Sequence, residues 1–208
     1  MAGAESESAA GDWHVLLCCT GSVASLKVPE LARRLQAGPA DGGRAVHVRV
    51  VSTEHARHFF SPSELPNGVA HLSDADEWAA WRARGDPVLH IALREWADLL
   101  LVAPLSANTL AKLAHGLADG LVACVARAWP LGRRPALVCP AMNTEMWLHP
   151  ATAPQLATLA GWGYTVAPPV EKTLICGETG VGAMAHLEDI CSRAFELLRE
   201  RDQRPGGL

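Results

Sequence analysis

Asn143 is the residue whose type and position best suit substrate binding. It follows a short apolar run at 136–139 that predicts a buried strand, and Pro140 ends that strand because proline has no N–H for the ladder. An asparagine amide can donate one hydrogen bond and accept another. The carboxyl ends of parallel strands are where open α/β sheets bind ligands. The segment 140–147 therefore predicts an amide and two methionines, Met142 and Met146, at a ligand-binding edge, although a helix N-cap among core residues would have the same sequence.

Short polar residues follow three other predicted strands. These strands lie at 14–19, 45–51 and 98–103, and each leads into a helical pattern. Hydroxyls, an amide and the N–H groups of a helix start together make an anion-binding site. The sequence contains no GxGxxG, so it favours a mononucleotide over a dinucleotide. The candidate cofactor-binding residues at the strand ends are Gly21, Ser22, Val23, Ser52, Thr53, Ser106, Ala107, Asn108, Thr109 and Ala141.

His90 and Arg94 are candidates for proton transfer and for anion binding. His90 precedes an amphipathic helix predicted over 91–97, and Arg94 lies one helical turn further along on the same face. Histidine changes its charge near neutral pH, which suits acid–base catalysis. A helix-capping histidine and a solvated surface arginine would have the same spacing, so both interpretations stay open at this point.

Cys176 begins a glycine-rich segment that reaches residue 184. The glycines Gly177, Gly180 and Gly182 predict a mobile loop rather than a helix over 173–184. The chain has six cysteines; several lie in apolar runs, and none forms a CxxC pair. This usage predicts reduced thiols in a cytosolic protein, with neither disulfides nor a metal site.

Strands and helices alternate along the whole chain. The alternation predicts an α/β fold with a doubly wound, Rossmann-like, mostly parallel sheet that carries helices on both faces. A length of 208 residues with 49% hydrophobic residues suits a single domain. We expect a disordered tail at 1–11, the domain at 12–200 and a frayed tail at 201–208.

Charge and hydropathy exclude two classes of partner. The net charge of −4 provides no basic surface for nucleic acid, and no apolar run is long enough to span a membrane. The N-terminus lacks the layout of a signal peptide, which again favours the cytosol. A short helix predicted over 74–81 carries Trp78 and Trp81 on one face, so we expect packing or a subunit contact there.

Four segments together resemble the flavin-dependent cysteine decarboxylases. Residues 140–147 match the signature Pro-Ala-Met-Asn-x-x-Met-Trp of that family, and 103–109 are similar to its flavin-binding segment. Residues 176–184 are similar to its substrate-covering flap, and His90 within 87–91 stands in the context of its active-site histidine. The resemblance implies FMN as cofactor and a homotrimer with flavin sites at subunit boundaries. It also implies that His90 and Cys176 are catalytic and that Asn143, Met146 and Arg94 bind the substrate.

The reaction that the resemblance implies is decarboxylation of 4′-phosphopantothenoylcysteine to 4′-phosphopantetheine, a step in coenzyme A biosynthesis. Oxidation by the flavin gives a thioaldehyde, which accepts the electrons as CO2 leaves and becomes an ene-thiolate. The reduced flavin then returns a hydride while Cys176 donates a proton, so the net redox change is zero. The protein would supply orientation through Asn143 and acid–base or orienting action through His90.

Three other members of this fold remain alternatives. A non-reducing flavin decarboxylase of peptide C-terminal cysteine would share His90 and Asn143 but would not need Cys176. A regulatory subunit that inhibits a protein phosphatase would be expected to carry an acidic tail and altered catalytic residues. This chain keeps His90, Asn143 and Cys176 together. A flavin prenyltransferase would share the fold but not this set of motifs.

Overall fold

Strands and helices alternate along residues 11–173 and 179–204, which are the residues that the computed structural model describes. The strands are β1 (Trp13–Cys19), β2 (Val46–Ser52), β3 (Ala70–Ser73), β4 (Leu99–Leu105), β5 (Ala136–Pro140), β6 (Thr165–Val166), β7 (Val170–Thr173) and β8 (Thr179–Ala183). The α-helices are α1 (Val28–Ala37), α2 (Asp74–Ala80), α3 (Leu89–Trp96), α4 (Ala107–Ala114), α5 (Leu121–Ala128), α6 (Thr144–Leu148), α7 (Thr152–Trp162) and α8 (Leu187–Asp202). Short 3-10 helices occupy Val23–Lys27, Glu54–His58 and Pro62–Glu64.

The first six strands form one parallel sheet in the order β3-β2-β1-β4-β5-β6. The chain adds strands on one side of β1 as far as β3, and then crosses to the other side of β1 to form β4. The connections that follow β1 and β4 therefore leave the sheet in opposite directions and open a crevice between them. This order confirms the predicted doubly wound α/β sheet and puts its switch point between β1 and β4.

Alternate strand residues enter two separate cores, one on each face of the sheet. In β1, Val15 and Leu17 pack with α1 and α8, whereas Leu16 and Cys18 pack with α3, α4 and α5. All four side chains are fully buried. Helices therefore cover both faces, as predicted, and the packed cores hold the strand ends in fixed positions.

Three elements of the main sheet and its connections differ from the sequence prediction. The helical pattern predicted after the strand at 45–51 forms only the 3-10 helix Glu54–His58. β4 does not stop before Pro104 but runs to Leu105, with an irregular pairing register to β5 that accommodates the proline. The sequence does not predict β3, because its four residues have little apolar alternation and form a strand by pairing with β2 at the edge of the sheet.

The described part of the glycine-rich segment is a strand, not the predicted mobile loop. β8 pairs with β7 in an antiparallel hairpin and contains Gly180 and Gly182. A Cβ on Gly180 would overlap Thr144, and one on Gly182 would overlap the Met142 carbonyl oxygen. Glycine is therefore needed there for close backbone approach rather than for mobility. Residues 174–178, which include Cys176 and Gly177, lie outside the described residues.

The last helix ends two residues beyond the predicted domain end at 200. Arg201 in its last turn pairs with the Asp98 carboxylate at 2.9 Å, and this contact attaches the helix end to the start of β4. The predicted N-terminal tail lies outside the described residues except for Gly11. Within 11–173 and 179–204, no helix has the length and apolar character needed to cross a membrane.

Candidate functional site

A cleft of about 920 Å³ opens beside the switch point of the sheet. Residues that follow β1, β2 and β4 line it, together with the first residue of α2 and residues around the start of α5. This is the position at which open α/β sheets bind ligands. Its described lining residues are Gly21, Thr53, Glu54, His55, His58, Phe59, Asp74, Ser106, Asn108, Thr109, Lys112, Asp119, Gly120, Val122 and Ala123.

Thr20 joins the ends of β1 and β4 behind this cleft. Its buried hydroxyl donates to the Pro104 carbonyl at 2.9 Å and accepts from the Ser106 backbone N–H at 2.8 Å. The Thr20 backbone N–H also donates to the Pro104 carbonyl at 3.2 Å, and the three bonds together fix the start of α4 relative to the end of β1. Thr20 was not among the residues selected from the sequence, where its only signal is a hydroxyl at the end of a predicted strand, directly before Gly21.

The start of α4 offers the best anion-binding geometry in the cleft. Ser106 caps the helix, and its Oγ accepts from the Thr109 backbone N–H at 3.3 Å. The backbone N–H groups of Ala107 and Asn108 have no acceptor within the helix, because the first turn of any α-helix lacks one. The helix dipole adds positive potential at the same place. Two backbone donors, an amide and hydroxyls therefore converge where an anion would be stabilised.

Five of the ten predicted cofactor-binding residues line the cleft, namely Gly21, Thr53, Ser106, Asn108 and Thr109. Ala107, between them, contributes its backbone to the helix start and packs against the apolar core. A Cβ at Gly21 would lie 2.7 Å from the His55 Cβ, so glycine at this turn lets the loop after β1 pack against the 3-10 helix that follows β2.

The other four predicted residues lie outside the described lining of the cleft. Ser22 caps the 3-10 helix by accepting from the Ala24 N–H at 3.3 Å, and Val23 is partly exposed. Ala141 is buried in the core on one face of the sheet. Ser52 is fully buried, with its Oγ 2.7 Å from His71 Nε2. Burial, and then the nearby charge of Arg57, lowers the pKa of His71. That imidazole therefore stays neutral near pH 7.

The cleft also contains charged and titratable side chains that the sequence analysis did not select. Lys112 Nζ donates to the Asp119 carboxylate at 2.6 Å, and this hydrogen bond lowers the pKa of Asp119. Asp74 accepts the Leu121 backbone N–H at 2.6 Å and thereby caps α5. Their signals in sequence are weak, because isolated charged residues in helices and loops are common on any solvated surface.

His90 lies in the first turn of α3, one residue inside the helix rather than before it. Its Nδ1 is 2.6 Å from the Glu77 carboxylate, and the two side chains are 26% and 15% exposed. Glu77 is three residues from Asp74 on α2, so the Glu77–His90 contact lies about one helical turn from a residue that lines the cleft. Glu77 was not selected from the sequence.

Asn143 caps α6, with its Oδ1 accepting the Glu145 backbone N–H at 2.8 Å. Met146 is 49% exposed on the same short helix, and its carbonyl accepts from the Thr152 hydroxyl at 2.6 Å. The two residues therefore lie together on the segment after β5. Neither is among the described residues that line the cleft in a single chain.

Arg94 lies one turn after His90 on α3, as predicted, and its guanidinium has two environments. One Nη donates to the exposed Glu95 carboxylate at 3.0 Å. Its Nε is buried, and no described residue accepts a hydrogen bond from it. Because this Nε is enclosed, an anionic group could meet Arg94 only through the rest of its side chain, which is 26% exposed.

The five described cysteines are free thiols, and all of them except the partly exposed Cys124 are buried. Burial raises the pKa of Cys18 to about 12 and that of Cys191 to about 11, and Cys19 and Cys139 are also buried. Thiols of this kind are protonated and inaccessible near pH 7. Cys176, the predicted proton donor, lies outside the described residues. Within 11–173 and 179–204, no cluster of histidine, cysteine and acidic residues could hold a metal ion.

The chain is similar to known proteins over nearly its whole length. It is 52% identical to phosphopantothenoylcysteine decarboxylase from Mus musculus over 188 residues, which cover 90% of this chain and 88% of the mouse protein. A solved structure of a PPC decarboxylase mutant complexed with pantothenoylaminoethenethiol is 44% identical, with a TM-score of 0.84 over 91% of this chain and 99% of the other. The FMN binding protein AtHal3 is also 44% identical, with a TM-score of 0.82 over 93% of this chain and 100% of the other. The family model described as Flavoprotein matches residues 4–199, and the chain therefore belongs to the flavoprotein family.

Proposed function

We propose that this protein is an FMN-dependent decarboxylase that converts 4′-phosphopantothenoylcysteine to 4′-phosphopantetheine, a step in coenzyme A biosynthesis. The observation that carries the proposal is the cleft at the switch point, whose anion-binding helix start belongs to a chain 52% identical to a phosphopantothenoylcysteine decarboxylase. The relative complexed with pantothenoylaminoethenethiol supports a pantothenoyl thiol as the ligand class.

The residues of the cleft fit a flavin mononucleotide. The single phosphate of FMN matches the single helix start at α4. That helix start offers two backbone N–H donors and, in addition, the Asn108 side-chain amide and the Thr109 hydroxyl. Lys112 adds a cation at the same wall. We infer that Gly21, Thr53 and the segment 106–109 hold FMN, with Ser22, Val23, Ser52 and Ala141 shaping the strand ends around it. When bound, FMN supplies the two-electron chemistry that a cysteine side chain cannot provide for loss of CO2.

The protein's own residues bind and orient the substrate and move protons. His90 would exchange a proton through the ring nitrogen that does not face Glu77. Asn143 would orient the substrate carboxylate or amide, Met146 would pack against the substrate, and Arg94 would meet an anionic group. Cys176 would donate the proton that converts the ene-thiolate to the saturated thiol, since a thiol of ordinary pKa near 8.5 is mostly protonated near pH 7.

We also propose that the active site is completed by assembly into a homotrimer. Trp78 and Trp81 are 83% and 55% exposed on and beside α2, although large apolar side chains are rarely so exposed on a monomer. Asn143 and Met146 lie outside the described lining of the cleft in one chain, which supports a site shared between subunits. The expected mass by sedimentation is near three times 22.1 kDa. Trp78→Glu should dissociate the trimer, whereas Trp162→Glu, on another exposed tryptophan, should not, and a monomeric parent protein would overturn this part of the proposal.

The substrate assignment is tested with purified protein and 4′-phosphopantothenoylcysteine. We expect the protein to be yellow, to release FMN on denaturation, and to give a product with the mass of 4′-phosphopantetheine. A product lighter by two hydrogens would indicate a non-reducing decarboxylase, and bound FAD or no loss of CO2 would refute the proposal. We place the protein in the cytosol, because its described cysteines are all free, and cell fractionation tests that placement.

A further inference from the structure

We propose that Glu77 is a positioning residue that holds His90 in one tautomer, with the hydrogen on Nδ1 and the lone pair on Nε2. The inference rests on the proposed function, because it assigns the atom through which His90 would exchange a proton. It adds a residue that lies outside the four segments by which the chain resembles the flavin-dependent cysteine decarboxylases.

The contact between the two side chains is short and shielded. Glu77 Oε1 lies 2.6 Å from His90 Nδ1, and the Glu77 side chain is only 15% exposed. The other carboxylate oxygen, Oε2, is buried, and no described residue donates to it. His90 thus faces a carboxylate that has lost most of its water, and an ionic hydrogen bond is strongest under such conditions.

The chemistry of the two groups selects the tautomer. An ionised carboxylate can only accept hydrogen bonds, so the nitrogen that faces it must carry the hydrogen. In a neutral imidazole the other nitrogen, Nε2, then has the lone pair. A carboxylate acts in this way on the histidine of a serine-protease triad, where it orients the ring and stabilises the imidazolium that forms. Nε2 is therefore the atom of His90 that can take up and release a proton.

The backbone around the pair is fixed by short hydrogen bonds. Asp76 reaches back to the Ser73 N–H at 2.8 Å and closes the capping box that starts α2. Asp86 accepts the N–H groups of Arg82 and Ala83 at 2.8 and 2.7 Å, which orders the turn between α2 and α3. Hydrogen bonds therefore order the start of α2 and the turn that leads towards α3, which supports a Glu77–His90 contact set by the fold rather than by two freely rotating side chains. By contrast, the Glu95 side chain that pairs with Arg94 on the same helix is 67% exposed.

The tautomer is measurable without any assay of activity. In the 15N-labelled protein at about pH 8.5, where histidine is ordinarily neutral, long-range 15N–1H spectra distinguish the protonated nitrogen of each imidazole. The His90 signals are identified by their loss in His90→Asn. We expect hydrogen on Nδ1 in the parent protein and a shift toward the other tautomer in Glu77→Gln, because the glutamine amide can donate to Nδ1. Hydrogen on Nε2 in the parent protein would overturn the proposal whether or not any variant folds.

The kinetic test separates positioning from a general loss of charge. Glu77→Gln should lower kcat by about 100-fold, within the range that general acid–base catalysis contributes, with KM changed by less than about threefold. Glu77→Asp, which keeps a carboxylate, should recover part of that loss. Glu188→Gln removes the same charge from an exposed position in the first turn of α8 and should leave kcat unchanged. A kcat for Glu77→Gln within about twofold of the parent would overturn the positioning role. If the parent itself fails to release CO2, the proposed function fails, while the spectra still decide the tautomer.

Discussion

Gly182→Ala should detach the β7–β8 hairpin from the segment that carries Asn143. The Gly182 carbonyl accepts the Met142 backbone N–H at 2.9 Å, and this bond joins β8 to the residues directly before α6. A Cβ at position 182 would overlap the Met142 carbonyl oxygen and lie 3.4 Å from the Asn143 carbonyl carbon. The backbone of Gly182 also has φ +144°, which disfavours any residue with a side chain.

The magnitude follows from two contributions. A non-glycine residue at this φ costs about 1–3 kcal/mol, and the lost backbone hydrogen bond contributes about 1 kcal/mol. The docked hairpin should therefore be destabilised by about 2–4 kcal/mol, which corresponds to a change of roughly 30- to 1,000-fold in the docking equilibrium. The hairpin lies outside the six-stranded sheet, so the cooperative unfolding of the core should change much less.

Gly132→Ala is the matched control, because Gly132 has φ +81° but a Cβ added there would meet no atom within 4 Å. Both variants carry backbone strain, and only Gly182→Ala has the overlap. Hydrogen exchange of the Met142 amide should accelerate by roughly 30- to 1,000-fold in Gly182→Ala and stay near the parent value in Gly132→Ala. Decarboxylation should fall in parallel, while bound flavin remains. Unchanged Met142 exchange and unchanged kcat in Gly182→Ala would refute the coupling between the hairpin and the Asn143 segment.

Three further predictions concern His90, Cys176 and Asp98. His90→Asn should keep flavin but lose decarboxylation by about 100- to 10,000-fold, because an amide cannot exchange a proton near pH 7, and near-normal turnover would show that His90 has only a structural role. In Cys176→Ser, oxidation and loss of CO2 should proceed while reduction of the ene-thiolate stalls, which leaves reduced flavin under anaerobic conditions and a product lighter by two hydrogens. Cys124→Ser is the control for loss of a thiol. Formation of the saturated thiol by Cys176→Ser at the rate of the parent protein would contradict the role of Cys176. Burial raises the pKa of Asp98, but hydrogen bonds from the His14 side chain and backbone and the charge of Arg201 lower it more, so the net pKa is lowered. Ionised Asp98 therefore stabilises the folded state fully above its unfolded pKa of about 3.9, and this effect is lost as pH falls through the lower folded pKa. In Asp98→Asn, the free energy of unfolding measured by chemical denaturation should fall less steeply as the pH is lowered into the acid range. An unchanged pH dependence would refute this prediction.

Strand ends were predictable because the signals that define them are local. Apolar or partly alternating runs mark β1, β2, β4 and β5, and the residues that follow each run come to the same edge of the sheet by the geometry of parallel strands. Gly21, Thr53 and the residues after β4 reached the cleft for this reason. Ser52 did not, because its neighbour His71 on the unpredicted strand β3 provides a buried partner for its hydroxyl.

Contacts between distant residues were not predictable from the sequence. Thr20 acts through Pro104 and Ser106, more than 80 positions away, and nothing in its own neighbourhood indicates that pairing. The predicted role of Gly182 was also wrong, since glycine spacing alone is compatible both with a mobile loop and with a strand pressed against another backbone. Which of these applies depends on the position of the Met142 carbonyl, which is set by the end of β5.

The candidate site has two parts, one that local sequence signals predict and one that depends on contacts between residues distant in the sequence. The part of the site that would bind FMN consists of helix starts and strand ends. The backbone N–H groups exposed there are determined by the local sequence. In the proposed site, the substrate end would depend on Glu77 and His90, which a contact between α2 and α3 holds, and on Asn143, which lies in the segment bonded to the hairpin. We therefore expect substitutions in the second group to change the reaction while the flavin remains bound. Separate measurements of flavin content and of product are consequently the most direct way to tell which part of the site a variant has altered.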